Sequence, residues 1–232
     1  FQAVIQYHRR GLRTHGRPAG KNGFQYAFIR QAVNRIAGGI GYQVTAVVRD
    51  PSRLKLKHPL LKVIGGDVTD TDFLAAQMRA QDAAISAFNP GWSNPSIYQE
   101  TLEGYHSILN AARWSRIPRL LIVGGAGSLY VSPGKQLMDE PDVPQKMLPG
   151  IKSLAKVYTD LLLPEKEIDW VFLSPAADMS PGTRTGNYRT DKDKLVVDEK
   201  GESHISVEDY AVAMIDELEE GAHHRERFAV GY

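Results

Sequence analysis

The chain has no cysteine among its 232 residues. This absence excludes disulfide bonds and thiolate-bound metal sites, and it is typical of proteins kept in a reducing compartment. No apolar run approaches the roughly 20 residues that a membrane-spanning helix needs. Residues 1–41 also lack the continuous apolar stretch and small-residue cleavage site of a signal peptide. We therefore expect a cytoplasmic protein without a membrane partner.

Acidic residues are missing from residues 1–49, which carry eight lysines and arginines. The remaining residues carry 20 basic side chains and all 27 acidic ones, so the net charge of +1 hides an uneven distribution. A basic arm of this kind can indicate a polyanionic partner such as nucleic acid. That hypothesis rests on this segment alone, so we rank it below a small-molecule substrate. The sequence does not define the oligomeric state.

Four short apolar blocks, separated by helix-like stretches, are the clearest signal of the fold. They occupy residues 43–49, 61–67, 83–89 and 120–125, and each leads into a small-residue or acidic turn. Continuous apolar strands are typical of a parallel sheet that is covered on both faces. The pattern predicts an α/β fold with a doubly wound parallel sheet, as a single domain over residues 1–232 with a small lobe after residue 130.

Other elements follow from weaker signals. We predict strands at residues 1–7, 169–174, 194–198 and 227–230, helices at 24–36 and 152–163, and loops at 132–150 and 181–193. Asn94-Pro95 is a plausible helix start, followed by one apolar face; its members are Tyr98, Leu102, Tyr105, Leu109 and Ala112. Ser206 is predicted to cap the last helix, with Asp209 at the capping-box position. The buried stripe of that helix is Val207, Ala211, Met214, Ile215 and Leu218.

Ligands of such sheets bind beyond the carboxyl ends of the strands, where the turns lie. Arg49 ends the second strand, and Arg53 follows one helical turn later. An arginine at this place accommodates the 2′-phosphate of NADP, whereas an acidic residue binds the ribose of NAD. The two arginines therefore favour NADP. The acidic Asp50 leaves NAD as an alternative cofactor, and the simplest alternative interpretation of Arg49 is a solvated arginine at a strand end.

Two further turns contain candidate cofactor contacts. Asp67 and Val68 follow the third strand, where a carboxylate can accept from adenine and an apolar residue can pack on its ring. Alternatively, Asp67 caps the helix that starts near residues 69–71. Ala87, Phe88 and Asn89 end the fourth strand, where small residues admit a cofactor and Asn89 can bond a ribose or phosphate. An ordinary turn into Pro90-Gly91 is the other interpretation.

The glycine-rich phosphate loop that should precede these strands is not recognisable. The nearest pattern runs from Gly20 to Tyr26, with tyrosine in place of the final glycine and no strand before it. A tyrosine there would obstruct the approach of backbone N–H groups to a pyrophosphate. Either the N-terminus is divergent, or the stretch from about Gln6 to Gly41 is read in a shifted frame. Codons for Gln6 to Arg13 can be chosen so that a one-base shift gives Ser-Thr-Thr-Gly-Ala-Gly-Ser-Gly.

Together these motifs resemble the atypical short-chain dehydrogenase/reductases, over about residues 42–232. The resemblance rests on Val44-Thr-Ala-Val-Val-Arg-Asp-Pro51, Gly66-Asp-Val-Thr-Asp70, Ala84-Ile-Ser-Ala-Phe-Asn-Pro-Gly91, Leu120-Leu-Ile-Val-Gly-Gly-Ala-Gly-Ser-Leu129, Phe172-Leu-Ser-Pro-Ala-Ala177 and Ile205-Ser-Val-Glu-Asp-Tyr-Ala211. More narrowly, the sequence resembles the NAD(P)H-binding proteins described as NADH-flavin reductase-like or NAD-dependent epimerase-like.

The resemblance implies a Rossmann fold and a set of cofactor contacts. Arg49 would meet the adenosine phosphate, Asp67 and Val68 the adenine, and Ala87 to Asn89 the central part of the cofactor. Two turns would frame the nicotinamide; their members are Gly124, Gly125, Ala126, Ser174, Pro175 and Ala176. Ser128 lies near the place where related enzymes keep a catalytic Ser or Thr, although a polar residue in a glycine-rich turn is the simpler interpretation.

The usual proton-donating pair of this family, Tyr-x-x-x-Lys, is missing. Tyr158 lies on a suitable predicted helix, but Leu162 occupies the lysine position, and we regard Tyr188 with Lys192 as a chance match. Reduction of a flavin or quinone tolerates this, because hydride transfer needs mainly stacking and orientation. We therefore expect an NAD(P)H-binding oxidoreductase, with a non-catalytic NAD(P) sensor as the alternative. His223-His224 lacks a third ligand, so no metal site is predicted.

Overall fold

The computed structural model describes residues 4–9 and 42–232. The strands in these residues are β1 (Val4–Arg9), β2 (Tyr42–Val48), β3 (Leu61–Gly65), β4 (Ala83–Ser86), β5 (Leu120–Val123), β6 (Tyr130–Ser132), β7 (Lys135–Gln136), β8 (Trp170–Ser174), β9 (Asp178–Ser180), β10 (Arg189–Asp191), β11 (His204–Ser206) and β12 (Glu226–Gly231). The α-helices are α1 (Thr71–Met78), α2 (Ile97–Ser115), α3 (Leu148–Lys156) and α4 (Val207–Glu220).

Eight strands form the central sheet, in the order β10-β12-β8-β5-β4-β1-β2-β3. From β3 to β8 this is the 3-2-1-4-5-6 order of a dinucleotide-binding Rossmann sheet, with β8 as the sixth strand. The pairs β2–β3, β4–β5, β5–β8 and β8–β12 are parallel. The predicted α/β fold with a mainly parallel, doubly wound sheet is therefore confirmed.

The first strand departs from this pattern. It was predicted at residues 1–7 as the first member of a parallel sheet, but β1 runs antiparallel to both of its neighbours. Val4 lies opposite Val47 and Ser86, and Arg9 lies opposite Tyr42. Strand β1 therefore ends at the edge of the sheet where its neighbours begin. The predicted helix at 24–36 and the pattern from Gly20 to Tyr26 fall outside the described residues.

Two apolar layers cover the two faces of the sheet, and β8 shows the arrangement. Trp170 and Phe172 join the layer made with α1, α2 and the α3 region, whereas Val171 and Leu173 join the layer made with α4. All five residues of β8 are buried. Burial on both faces explains why the strands were recognisable as continuous apolar runs.

The long helix α2 begins at Ile97, after Ser96 rather than at Asn94. Its buried face includes Tyr105, Leu109 and Ala112, as predicted. Tyr98 is 38% exposed and was wrongly placed on that face. Ile97, Thr101 and Ile108 are buried, which rotates the buried face relative to the predicted stripe.

Helix α4 confirms the predicted cap. The Ser206 hydroxyl accepts a hydrogen bond of 3.0 Å from the backbone N–H of Asp209. Val207, Ala211, Met214 and Ile215 are buried, as expected. The helix ends at Gly221, whose φ of 63° lies in the left-handed region that favours glycine.

Three predictions of the C-terminal half need correction. The strand predicted at 194–198 is absent; the strand in this region is β10, inside the predicted loop 181–193. Asp191 accepts from the backbone N–H groups of Asp193 and Lys194, which turns the chain after β10. The helix predicted at 152–163 starts earlier, at Leu148 with Pro149 in its first turn, and continues after Lys156 as the π-helical turn Val157–Leu162.

The predicted loop 132–150 also contains structure. It includes the hairpin strand β7, two short 3₁₀ turns at Leu137–Asp139 and Gln145–Met147, and the start of α3. A small lobe beyond the main sheet is built from the β6–β7 hairpin and the parallel pair β9–β11. Among the described helices, we find none with the length and apolar character to cross a bilayer.

Candidate functional site

The candidate cofactor residues collect at one edge of the sheet. Strands β2, β3, β4, β5 and β8 point in the same direction, so the turns that follow them share the carboxyl edge. Every cofactor contact predicted from the sequence lies in one of these turns. The structure thus places the predicted residues along one continuous edge, where ligands of such sheets bind.

At the end of β2, Arg49 is exposed, and one oxygen of the Asp50 carboxylate, Oδ1, is bonded within its own turn. The Asp50 carboxylate accepts 3.0 Å and 2.7 Å hydrogen bonds from the backbone N–H and hydroxyl of Ser52. It caps the short turn Pro51–Arg53, and these bonds hold its pKa below the usual value for aspartate. Asp50 was the residue that left NAD as an alternative cofactor. One of its two carboxylate oxygens is bonded to Ser52, and the choice between NADP and NAD stays a prediction.

At the end of β3, Asp67 makes a tight turn of its own. Its carboxylate accepts from the backbone N–H of Thr69 at 2.9 Å and from the Thr69 hydroxyl at 2.8 Å. These bonds, with a smaller contribution from the positive charge of Arg49, lower the pKa of Asp67. The helix cap is Asp70, which accepts from the N–H of Phe73. The proposed capping role of Asp67 is therefore wrong, and its adenine contact stays a prediction, as does that of the buried Val68.

The turn after β4 packs against helix α2. Ala87 and Phe88 are buried, and the Phe88 ring packs edge-on against Tyr105 with 5.8 Å between centroids. A Cβ at Gly104 would lie 2.1 Å from the Phe88 ring, so only glycine allows this approach. Asn89 accepts a 2.7 Å bond from the N–H of Gly91, which supports the ordinary-turn interpretation. The side-chain NH₂ of Asn89 can still donate to a ribose or phosphate.

The turns after β5 and β8 lie against each other. Gly124 donates its N–H to the carbonyl of Leu173 at 2.8 Å, and a Cβ on Gly124 would meet that carbonyl and the Phe172 ring. A Cβ on Gly125 would lie 3.0 Å from the Leu154 side chain of α3, which is also a tight contact. Close packing alone accounts for these two glycines, so their nicotinamide contact, and that of the partly buried Ala126, stays a prediction.

Ser174 contributes a buried polar atom to the end of β8. Ser174, Pro175 and Ala176 are buried, and the Ser174 hydroxyl has no hydrogen-bond partner among the described residues. A buried hydroxyl without a partner costs free energy, roughly 1–3 kcal/mol, unless a bound molecule pairs with it. The small-residue turns and this hydroxyl fit a cofactor at the ends of β5 and β8.

Ser128 and Tyr158 belong to a buried cluster that sequence reasoning missed. The guanidinium of Arg227 donates to the Ser128 hydroxyl at 2.9 Å, pairs with Asp193, and lies 4.3 Å from the centroid of the Tyr158 ring. Burial raises the pKa of Tyr158, and Arg227 offsets part of that rise. The simpler interpretation of Ser128 is favoured, because Arg227 occupies its hydroxyl. The signal in the sequence was an arginine in the apolar strand β12.

The other two doubtful patterns also find structural partners. Leu162, at the lysine position, is fully buried. Tyr188 donates to Asp216 while Lys192 lies 3.7 Å from Glu226, which supports treating that pair as chance.

The His223-His224 pair does not form one metal centre. His223 lies 2.6 Å from the buried Glu217, which also pairs with Arg119, whereas His224 lies 2.9 Å from Asp169. His223 is thus part of an ion-paired cluster and not only a solvated helix end. Its ring also stacks on Phe228, with 4.1 Å between the centroids.

Comparison with known proteins gives the same picture. A solved structure from Bacteroides thetaiotaomicron, a proposed epimerase, is 50% identical with a TM-score of 0.83, covering 91% of this chain and 93% of that one. A proposed NADH-flavin reductase from Streptococcus pneumoniae is 33% identical with a TM-score of 0.76, covering 90% and 93%. The uncharacterized protein YwnB of Bacillus subtilis is 39% identical over 193 residues, which are 82% of this chain and 87% of YwnB. The NAD(P)H-binding family model matches residues 27–220. The resemblance seen in the sequence is confirmed, and the chain belongs to the NAD(P)H-binding family.

Proposed function

We propose that the protein is an NAD(P)H-dependent oxidoreductase that reduces a flavin-like or quinone acceptor. The observation that carries this proposal is that the residues at the positions of the family's tyrosine and lysine do not form a proton-donating pair. Leu162 is buried where lysine should be, and the Tyr158 ring is covered by Arg227. A ketone or sugar substrate needs a positioned proton donor, whereas a conjugated acceptor needs mainly stacking and orientation.

The bound dinucleotide would supply the hydride, and the protein would hold the two partners in place. Asp67 and Val68 would receive the adenine, Ala87 to Asn89 the central part, and the turns Gly124–Ala126 and Ser174–Ala176 the nicotinamide. The Ser174 hydroxyl can hydrogen-bond the cofactor there. The acceptor would take up the hydride, and one proton from solvent would complete its two-electron-reduced form.

NADPH is the cofactor that we propose over NADH. Arg49 is exposed at the end of β2, and Arg53 closes the following turn. In the neighbouring carboxylate of Asp50, Oδ1 is bonded to Ser52 within the turn, which leaves only the other oxygen for a ribose hydroxyl. A 2′-phosphate would gain charge-assisted hydrogen bonds from an arginine at this place.

The cytoplasmic location expected from the sequence stays a prediction.

A non-catalytic NAD(P) sensor is the second candidate. It is favoured by the same absence of a tyrosine–lysine pair, since a protein that only binds the cofactor needs no proton donor. In that case the carboxyl edge would bind the dinucleotide, and no acceptor would be turned over.

Cofactor titration followed by acceptor turnover distinguishes the two candidates. We expect calorimetry to show saturable NADPH binding, and slow NADPH oxidation in the presence of FMN or menadione but not of simple ketones. Tight binding without turnover on any acceptor would support the sensor. Efficient reduction of ketones or epimerisation of sugars would overturn the proposal, as would the absence of any nicotinamide binding.

A further inference from the structure

Three side chains of the C-terminal lobe bring metal-ligating atoms together. Asp198, Glu202 and His204 each offer a carboxylate oxygen or an imidazole nitrogen, and these atoms all lie within 4.8 Å of one another. They lie apart from the His223-His224 pair, for which the sequence gave no third ligand. The group spans only seven residues of chain, 198–204, so a single turn and the start of β11 hold it.

The backbone of the turn fixes the two carboxylates near each other. Asp198 Oδ1 accepts from the backbone N–H groups of Lys200 and Glu202, both at 2.9 Å. The N–H of Asp198 donates to the carbonyl of Glu202 at 2.8 Å, and Gly201 adopts a φ of 81°. These bonds use one oxygen of the Asp198 carboxylate, so the turn itself does not require the second.

The third ligand stands on a rigid element. His204 begins β11, directly opposite Asp178 of β9, and its ring packs edge-on against Tyr232 with 5.1 Å between centroids. Its carbonyl accepts from the N–H of Tyr232 at 3.0 Å. The Nδ1 atom of this ring is buried and has no hydrogen-bond partner in the part of the chain that the structure describes. A ring nitrogen in this state gains free energy from any ligand that pairs with it.

A cavity of about 500 Å³ adjoins the group. Glu202 and His204 line it, together with Asp178 and the hydroxyl-bearing Ser206 and Tyr232. Glu202 and His204 thus border a space that can hold water or a small oxygen ligand, whereas Asp198 lies outside its lining.

We infer that Asp198, Glu202 and His204 form a binding site for a divalent transition-metal ion of the zinc or manganese class. One imidazole with two carboxylates is a donor set that such ions accept, and three protein ligands leave further positions open. Ligand atoms about 2.0–2.2 Å from one tetrahedral ion lie roughly 3.3–3.6 Å apart. The three side chains must therefore draw together when the ion binds, and Glu202 is the most exposed of them. This site does not depend on the proposed reductase activity.

Binding of Co²⁺ and Zn²⁺ to the untagged, chelator-treated full chain tests the site without any nicotinamide cofactor. Calorimetry with Zn²⁺ should show one site per chain, and Co²⁺ should give visible absorption bands that Zn²⁺ abolishes. His204→Gln and Glu202→Gln should each weaken binding by roughly tenfold or more, the scale seen when a metal site loses support. His224→Gln is the matched control, since that histidine also faces a carboxylate but has no third ligand among residues 4–9 and 42–232, and this variant should bind the ion like the unmodified chain.

The outcomes distinguish binding at the Asp198–Glu202–His204 site from nonspecific binding of the ion to surface histidines. Equal binding by the His204→Gln and His224→Gln variants, or no binding at millimolar ion, would overturn the inference. Thermal unfolding of each variant without metal checks folding, and Glu202→Gln keeps the test valid if His204→Gln unfolds, because Glu202 is exposed.

Discussion

Arg49 is the residue on which the choice of cofactor depends. We expect Arg49→Ala to weaken NADPH binding by about 1–3 kcal/mol, because a charge-assisted contact to the 2′-phosphate is lost. NADH lacks that phosphate, so its affinity should change little. Calorimetric titration of both cofactors against the unmodified chain and the variant measures the difference.

Lys57→Ala is the matched control for this experiment. Lys57 is exposed like Arg49 and lies in the same connection between β2 and β3, but not at the strand end. Its removal lowers the positive charge by the same amount and should leave the NADPH preference intact. Equal affinities for both cofactors in the unmodified chain and in Arg49→Ala would contradict the assignment.

Single residues also show where sequence reasoning reached its limit. From the sequence, Asp67 was considered as a cap of α1 and Asp70 was not, although both carboxylates precede the helix by a few residues. The structure gives the cap to Asp70 and a local turn to Asp67. Arg227 was not predicted, since its partners Ser128 and Asp193 lie 99 and 34 residues away along the chain.

Among the elements, α4 is tied to the preceding loop through one buried carboxylate. Asp209 stands at the capping-box position, but it accepts from Thr185, from the N–H of Gly186 and from the Tyr232 hydroxyl, at 2.6–3.2 Å. Burial alone would raise the pKa of Asp209, yet these hydrogen bonds outweigh burial and hold it below the ordinary aspartate value. The carboxylate thus fastens loop, helix and C-terminus together.

We expect Asp209→Asn to lower the free energy of unfolding by about 1–3 kcal/mol near neutral pH, because buried donors lose a charged acceptor. A carboxyl group whose folded pKa is depressed stabilises the fold above its unfolded pKa, about 3.8. That contribution is lost as the pH falls through the lower folded pKa. The difference between unmodified chain and variant should therefore shrink below about pH 4. Urea unfolding at several pH values measures it.

Asp142→Asn provides the comparison, since Asp142 is exposed and lies in a loop. It should leave stability unchanged at each pH. A loss in Asp209→Asn that stays constant at low pH would show that the charge of Asp209 plays no part.

The accuracy of the element predictions follows from how each element is stabilised. Strands β2, β3, β4, β5 and β8 were predicted within about three residues of their ends, because each is a short, mainly apolar run. Burial on both faces explains the run in β4, β5 and β8, whereas the edge strand β3 has no buried residue. Between residues 181 and 203 the prediction was wrong in detail. There the path is set by carboxylates that accept backbone N–H groups, Asp191, Asp198 and Asp209, and such contacts leave no periodic pattern.

For the whole molecule, the direction of β1 conflicts with the rest of the sheet. Five turns lie at the carboxyl edge, but β1 ends at the opposite edge, beside the start of β2. A glycine loop that follows the first strand can bind a pyrophosphate at the carboxyl edge only when that strand is parallel to its neighbours. The order of the strands is thus that of a dinucleotide-binding sheet, whereas the direction of one central strand is not.

The two explanations for this strand predict different affinities. If the chain is translated as printed, backbone N–H contacts to the pyrophosphate are missing, and we expect NADPH binding at least about tenfold weaker than in a relative with a glycine loop. Each such factor of ten corresponds to about 1.4 kcal/mol. If residues 6–41 are instead read in a shifted frame, the native protein should bind NADPH as tightly as that relative.

The intact mass of the native protein and the sequence of its coding DNA decide between a divergent N-terminus and a shifted reading frame. A mass that matches the printed sequence rules out the frame shift. A chain in which residues 6–41 are translated in the shifted frame then serves as the direct test. We expect it to gain at least about tenfold in NADPH affinity, because glycines after a parallel first strand expose backbone N–H groups to the pyrophosphate. Equal affinity of the two chains would show that the first strand and its loop do not take part in cofactor binding.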